Sequence, residues 1–145
     1  MRLLLQMSLL NVLLFVAKLS AADPPPDVVD FFRVMTQALA DAHSDNGLLS
    51  NDAATFLANF DPSMAGYAEL RAGVEDMVAR ARVGAALEFV ADGGDDNKRT
   101  LDVDWTLEIE GQRPRRATLK CTIERSGNKK KWKITSLAPV SFFKF

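Results

Sequence analysis

The sequence predicts an α+β fold, with three helices packed on a mainly antiparallel four-stranded sheet. Three observations carry that expectation. Apolar residues recur every three or four positions as far as Ala81 and every second position from Ala85 onward. Short Gly-, Asn- and Asp-rich stretches separate the alternating segments closely enough for hairpins. Helices precede strands without βαβ alternation, which favours segregated layers over a doubly wound sheet. The chain has 145 residues, 48% hydrophobic and 26% charged, the composition of one folded domain.

The first segment reads as an address. Residues 3–17 are largely apolar, preceded by Arg2 and followed by Ser20-Ala21-Ala22, with small residues three and one positions before Asp23. That is the layout of a secretory signal peptide. The run is interrupted by Gln6, Ser8 and Asn11 and then meets Lys18, short of the roughly 20 apolar residues of a membrane span. Cleavage after Ala22 is expected, and an uncleaved N-terminal anchor is the alternative. Either reading exports the domain, to the periplasm or outside the cell, with membrane contact only through residues 1–22. Residues 23–26, containing Pro24-Pro25-Pro26, form a stiff spacer, and residues 27–145 form the domain.

Val28, Phe31, Phe32, Met35 and Leu39 line one helix face, with Asp27 as its expected cap and His43-Ser44-Asp45-Asn46-Gly47 as its closing turn. A second helix starts from Ser50, Asn51 or Asp52, presents Ala53, Phe56, Leu57 and Phe60, and is interrupted by Asp61-Pro62. A third carries Tyr67, Leu70, Val74, Met77, Val78 and Ala81, with Gly84 as its stop.

The strand half begins at Ala85. Leu87, Phe89 and Ala91 alternate with Glu88 and Val90 before an Asp92–Asn97 turn. The second strand alternates without fault, Leu101, Val103, Trp105, Leu107 and Ile109 against Asp102, Asp104, Thr106, Glu108 and Glu110. Ala117, Leu119, Cys121 and Ile123 form the apolar parity of a third strand. After Ser126-Gly127-Asn128 the fourth carries Trp132 and Ile134, and the late return of the next apolar residue, Leu137, predicts a bulge near Thr135 or Ser136.

This order of elements resembles the nuclear-transport-factor-2-like superfamily, the cystatin-like α+β roll. So do Phe56-Leu57-Ala58-Asn59-Phe60-Asp61-Pro62 between helices, Asp104-Trp105 in a long strand and Lys131-Trp132-Lys133-Ile134 in the last strand. The resemblance covers residues 27–143. It implies a curved, cone-shaped sheet whose concave face meets the helices around a pocket and whose outer face often serves as a dimer surface. Members include isomerases, dehydratases and polyketide cyclases, so the fold alone sets no activity.

Enzymes of that superfamily place an Asp, His or Tyr inside the cone. The expected inward positions here carry none, and Cys121 reads as a small core residue. No catalytic residue is therefore assigned. The ligand-pocket candidates are Tyr67, Phe89, Val103, Trp105, Leu107, Cys121 and Trp132, with Tyr67 and Trp105 supplying polar tips. The first expectation is a binding module that takes a small hydrophobic ligand in the cone or an envelope protein on its surface. The alternative is a small isomerase, dehydratase or cyclase using loop-borne Asp61, Tyr67 or His43; a structural role through the exposed sheet is a third.

One His, one Cys and the lack of regular ligand spacing in Asp92–Asn97 leave no metal site, and no cofactor is called for. The acidic row Asp102, Asp104, Glu108 and Glu110 is expected to pair across strands, Glu108 with Lys120 and Glu124 with Lys131 or Lys133. Arg113, Arg115 and Arg116 and the Lys129–Lys133 cluster flank opposite ends of the third strand, about 30 Å apart at about 3.3 Å per residue. They read as two hairpin tips, not one nucleic-acid surface. The net charge of −1 hides a helical half, 23–96, at −10 and a sheet half, 97–145, at +7. The charged sheet face points to a monomer or weak homodimer. Phe142, Phe143 and Phe145 are expected to pack back over the helices or pocket mouth.

Overall fold

The computed structural model describes residues 23–42, 52–127 and 130–145. The expected leader at 1–22, the turn with His43, the cap candidates Ser50 and Asn51, and Asn128 and Lys129 lie outside these. The fold is α+β, with helices α1 (Pro26–Ala40), α2 (Asp52–Leu57) and α3 (Tyr67–Arg80) preceding strands β1 (Val83–Gly94), β2 (Lys98–Ile109), β3 (Arg115–Glu124) and β4 (Lys133–Ala138). A 3-10 turn, Val140–Phe143, closes the chain.

Helix α1 starts two residues earlier than an Asp27 cap would place it. Pro25 is its N-cap, with no side-chain capping bond, and a proline occupies the first turn, where a missing N–H costs nothing. The Pro25 carbonyl accepts from the amides of Val28 and Val29 at 3.0 and 3.1 Å. Asp27 is thus no cap; its carboxylate is used elsewhere. Val28, Phe32, Met35 and Leu39 are the buried stripe. Helix α3 begins after Gly66, whose φ of +80° places it in the left-handed region that glycine enters without strain. The helix stops at Arg80, so Gly84 belongs to β1 and does not end it.

The sheet is an antiparallel meander in the order β1-β2-β3-β4. β1 runs from Val83 to Gly94, longer than expected at both ends, and it bulges: Phe89 pairs with Val103 but Ala91 with Asp102, leaving Val90 over. The bulge flips the parity, so Ala91 is exposed rather than inward. The expected bulge in β4 falls at Thr135, since Thr122 pairs with Ser136 and Ile123 with Ile134. Two bulges in a four-stranded sheet add twist and bend. Trp132 precedes β4 instead of lying in it.

The outer edge of β4 is tied to the helices. The Asp61 amide donates to the Ile134 carbonyl and the Ile134 amide to that of Asn59, both at 2.8 Å, and Lys133 Nζ donates to the Ala58 carbonyl at the end of α2. The core lies between this sheet face and the helices. Leu101, Val103, Trp105, Leu107 and Ile109 of β2 and Leu119, Cys121 and Ile123 of β3 are all buried in it, and no charged or polar residue among those described is.

Candidate functional site

The inner face of β2 centres on Trp105, which is 1% exposed. Its strand neighbours are Leu87 on β1 and the small Ala117 on β3, and above it the indole meets rings from two distant segments. Phe143 stands edge-on at 5.1 Å between centroids and Phe56 of α2 at 6.4 Å. Phe56 is also 6.0 Å from Phe143 and 5.3 Å from Phe60, and Phe142 is 5.2 Å from Phe143. Edge-to-face aromatic pairs contribute about 0.5–1.5 kcal/mol each beyond burial. Within this chamber the Trp105 Nε1–H has no acceptor. An unmet buried donor costs about 1–3 kcal/mol, and native interiors leave few of them.

The chamber is closed by the C-terminal segment. Phe142 and Phe143 are buried, and Arg115 fixes the backbone that carries them: its Nη1 donates to the Phe142 carbonyl at 2.7 Å and to that of Lys144 at 2.5 Å. On the helix side, a Cβ at Gly73 of α3 would stand 2.7 Å from the Phe143 carbonyl oxygen. Only a glycine allows that approach. The segment ends with Phe145 beneath the Arg80 guanidinium, 5.3 Å from the ring centroid.

The structure brings some of the candidate residues together and separates others. Val103, Trp105, Leu107 and Cys121 share the inner face at 2% exposure or less. The Cys121 thiol is pushed up to about 12 by burial, so it is protonated and unreactive at neutral pH. Phe89 is half-buried on the edge strand, edge-on to Phe32 at 5.4 Å. Tyr67 is half-buried at the start of α3.

Trp132 belongs to another corner. Its ring lies under the Arg125 guanidinium at 4.1 Å, and its Nε1 donates to Asp27 Oδ2 at 3.1 Å. Arg125 Nη1 donates to the same oxygen at 2.8 Å and its Nε to the Asp96 carbonyl at 2.6 Å. Burial raises the Asp27 carboxyl, but the bonds from Trp132 and Arg125 outweigh it and leave the group below its ordinary value. This corner fastens the start of α1 to the sheet. Phe142 and Phe143 pack back against the helices and Trp105 as expected, whereas Phe56 and Arg115 were not among the candidates. Arg115 had a signal, since it shares the inward parity of Ala117, Leu119 and Cys121.

The outer face is polar and internally paired. Asp104 accepts from Arg116 at 3.0 Å and from Thr118, and those bonds hold its carboxyl below the usual range. Arg116 also reaches Glu88 at 3.8 Å, beside a hollow of about 90 Å³ lined by Ala86, Leu87, Glu88, Asp104, Thr106 and Arg116. The expected Glu108–Lys120 pairing does not form, because the register sets Asp102 against Lys120 and Glu108 against Gly84. Glu124 stands opposite Lys133, while its ion pair is with Lys98 at 3.8 Å.

Asp92 is clamped by Arg99 in a bidentate pair at 2.7 and 3.0 Å, and Asp95 accepts from the amides of Asn97 and Lys98 at 2.8 and 2.9 Å, tightening the turn. Both roles are structural. Among the described residues no group of three or more His, Cys, Asp or Glu is placed to hold a metal, and no helix is long and apolar enough to cross a membrane. An open cleft of about 480 Å³ lies outside the core between the start of β1 and the β2–β3 turn, lined in part by Arg82, Glu108 and Glu110.

No known family and no curated protein matches the chain. Among solved structures it is similar to Bd1075 of Bdellovibrio bacteriovorus, with a TM-score of 0.59, 12% identity and 77% of this chain covered. At that identity the likeness is one of fold. This chain spans 38% of the length of that one, so there the fold forms part of a longer protein.

Proposed function

We propose that this is an exported, non-enzymatic binding module of the nuclear-transport-factor-2-like type, which takes a small hydrophobic ligand on the inner face of the sheet. The observation that carries the reading is the indole N–H of Trp105, held without an acceptor inside an otherwise apolar aromatic chamber. Small-molecule sites are mostly apolar with a few placed polar groups, and this donor is the polar group that an aromatic or lipid-like molecule with one oxygen acceptor would satisfy. Helix-first α+β order and two sheet-bending bulges support the superfamily assignment. The layout of residues 1–22 supports export.

A surface partner has less in its favour. The outer-face groups Asp104, Arg116 and Thr118 already bond one another, and mixed charge across that face suits a monomer or weak homodimer. Native mass spectrometry of the purified full chain tests the ligand reading. A small apolar adduct, exchanged by added acetophenone, is expected. A bare chain that takes up no aromatic ketone even at millimolar concentration would overturn it.

A further inference from the structure

We infer that the C-terminal segment Val140–Phe145 is a displaceable plug that occupies the ligand site in cis, and that Arg115 is the latch setting how often the site is open. The inference rests on the ligand reading above and adds the element that controls access. Phe143 packs edge-on against Trp105 at 5.1 Å, so the plug offers that indole a ring with no oxygen or nitrogen acceptor. The Trp105 N–H stays unmet while the chamber is full. A ligand with an aromatic ring and a carbonyl matches what Phe143 supplies and adds what it lacks.

The means of holding the plug differ from those of the rest of the core. β2 and β3 are bound to neighbours on both sides, whereas the plug is a single 3-10 turn that follows β4 by one residue and, among the described residues, takes part in no strand pairing. Among the described residues its backbone is tied to the sheet by the side chain of Arg115, whose Nη1 donates to the carbonyls of Phe142 and Lys144. Arg115 is only half-buried and begins β3, so loss of its guanidinium removes this backbone tie and raises the open fraction while the apolar face beyond it is unchanged. Segments with few ladder bonds and exposed tethers open at lower free energy than the core. When only the open state binds, apparent affinity scales with the open fraction. Empty apolar cavities on the order of 150 Å³ accept a benzene ring, the size class of the space a phenylalanine ring vacates.

The test uses the full chain, with acetophenone and ethylbenzene as ligands that differ by the carbonyl acceptor. Affinities are measured by calorimetry for the natural protein, Arg115→Gln, Arg115→Lys and Phe143→Ala, with thermal melts to establish that each is folded. Arg115→Gln should bind acetophenone about tenfold more tightly than the natural protein and prefer it to ethylbenzene. Arg115→Lys, which keeps a cationic donor, should stay near the natural value, and Phe143→Ala should bind at least as tightly as Arg115→Gln. Equal acetophenone affinity in the natural protein and both Arg115→Gln and Phe143→Ala would overturn the plug while leaving the ligand reading intact. Failure of every folded form to bind either compound would overturn both.

Discussion

Gly73→Ala should loosen the plug from the helix side, and its sign separates two accounts of that glycine. In an ordinary helix interior alanine is favoured over glycine by about 1 kcal/mol. Here the added Cβ would lie 2.7 Å from the Phe143 carbonyl oxygen, 3.1 Å from its carbon and 3.3 Å from Lys144 Cα. All three are backbone atoms, so no rotamer change relieves the contact. Overpacking of this kind costs about 1–3 kcal/mol, and retreat of the segment also weakens the edge contacts of Phe143 with Trp105 and Phe142, at about 0.5–1.5 kcal/mol each. After the helix-propensity gain is subtracted, a net loss of about 1 kcal/mol remains at the least and about 5 kcal/mol if both edge contacts are lost outright. For a chain of this size each kcal/mol lowers Tm by roughly 2–4 °C. Urea unfolding, with a lower midpoint and an unchanged slope, is the primary assay. A greater acceleration of amide exchange, relative to the natural protein, in residues 140–145 than in β2 would locate the change at the plug. A rise in stability, as at an open helix site, would refute the close approach.

Three further outcomes follow from the same contacts. Trp105→Phe should change stability by no more than about 1 kcal/mol, because relief of the unmet N–H offsets lost packing; a loss near the roughly 3–5 kcal/mol of a buried Trp→Ala change would show that the N–H is satisfied. Asp27 has a folded-state carboxyl below its ordinary value, so its contribution is present above the unfolded carboxyl range and is lost as pH falls through the lower folded value. Asp27→Asn should therefore flatten the acid limb of the stability profile and cost about 1 kcal/mol at pH 7, a figure discounted because the side chain is 48% exposed; an unchanged acid limb would refute the Asp27–Arg125 pairing. Cys121, 2% exposed and with its thiol raised to about 12, should react with a thiol reagent at pH 8 only at the rate of unfolding, and prompt labelling of the native protein would contradict its burial.

Sequence periodicity was most informative where one physical effect dominated. β2 alternates without interruption because one face is dry and the other wet, and all five of its expected inward residues are buried. The Thr135 bulge was legible because apolar spacing changes across it, whereas the Val90 bulge was hidden by Val90 and Ala91 both being apolar. Asp27 resembled a cap, but a local pattern carries no information about Arg125 and Trp132, which reach it from the other end of the chain. Of the two candidates expected to carry polar tips, Trp105 lies on the buried inner face of β2 and Tyr67 is half-buried at the start of α3. Trp132 was grouped with it because both are tryptophans near apolar strands, although strand β4 begins only after Trp132. Gly73 had no sequence signal, since its requirement comes from a backbone more than sixty residues away.

The Trp105 indole N–H is the donor on which a ligand at the inner face would act, and the indole region of the nitrogen–proton spectrum of the full chain reports on it directly. With acetophenone, the Trp105 indole resonance should move downfield and saturate, while that of Trp132, already donating to Asp27 at 3.1 Å, should stay in place; ethylbenzene should leave both nearly unmoved. A Trp105 resonance that does not respond to acetophenone, or responds alike to both compounds, would contradict the account.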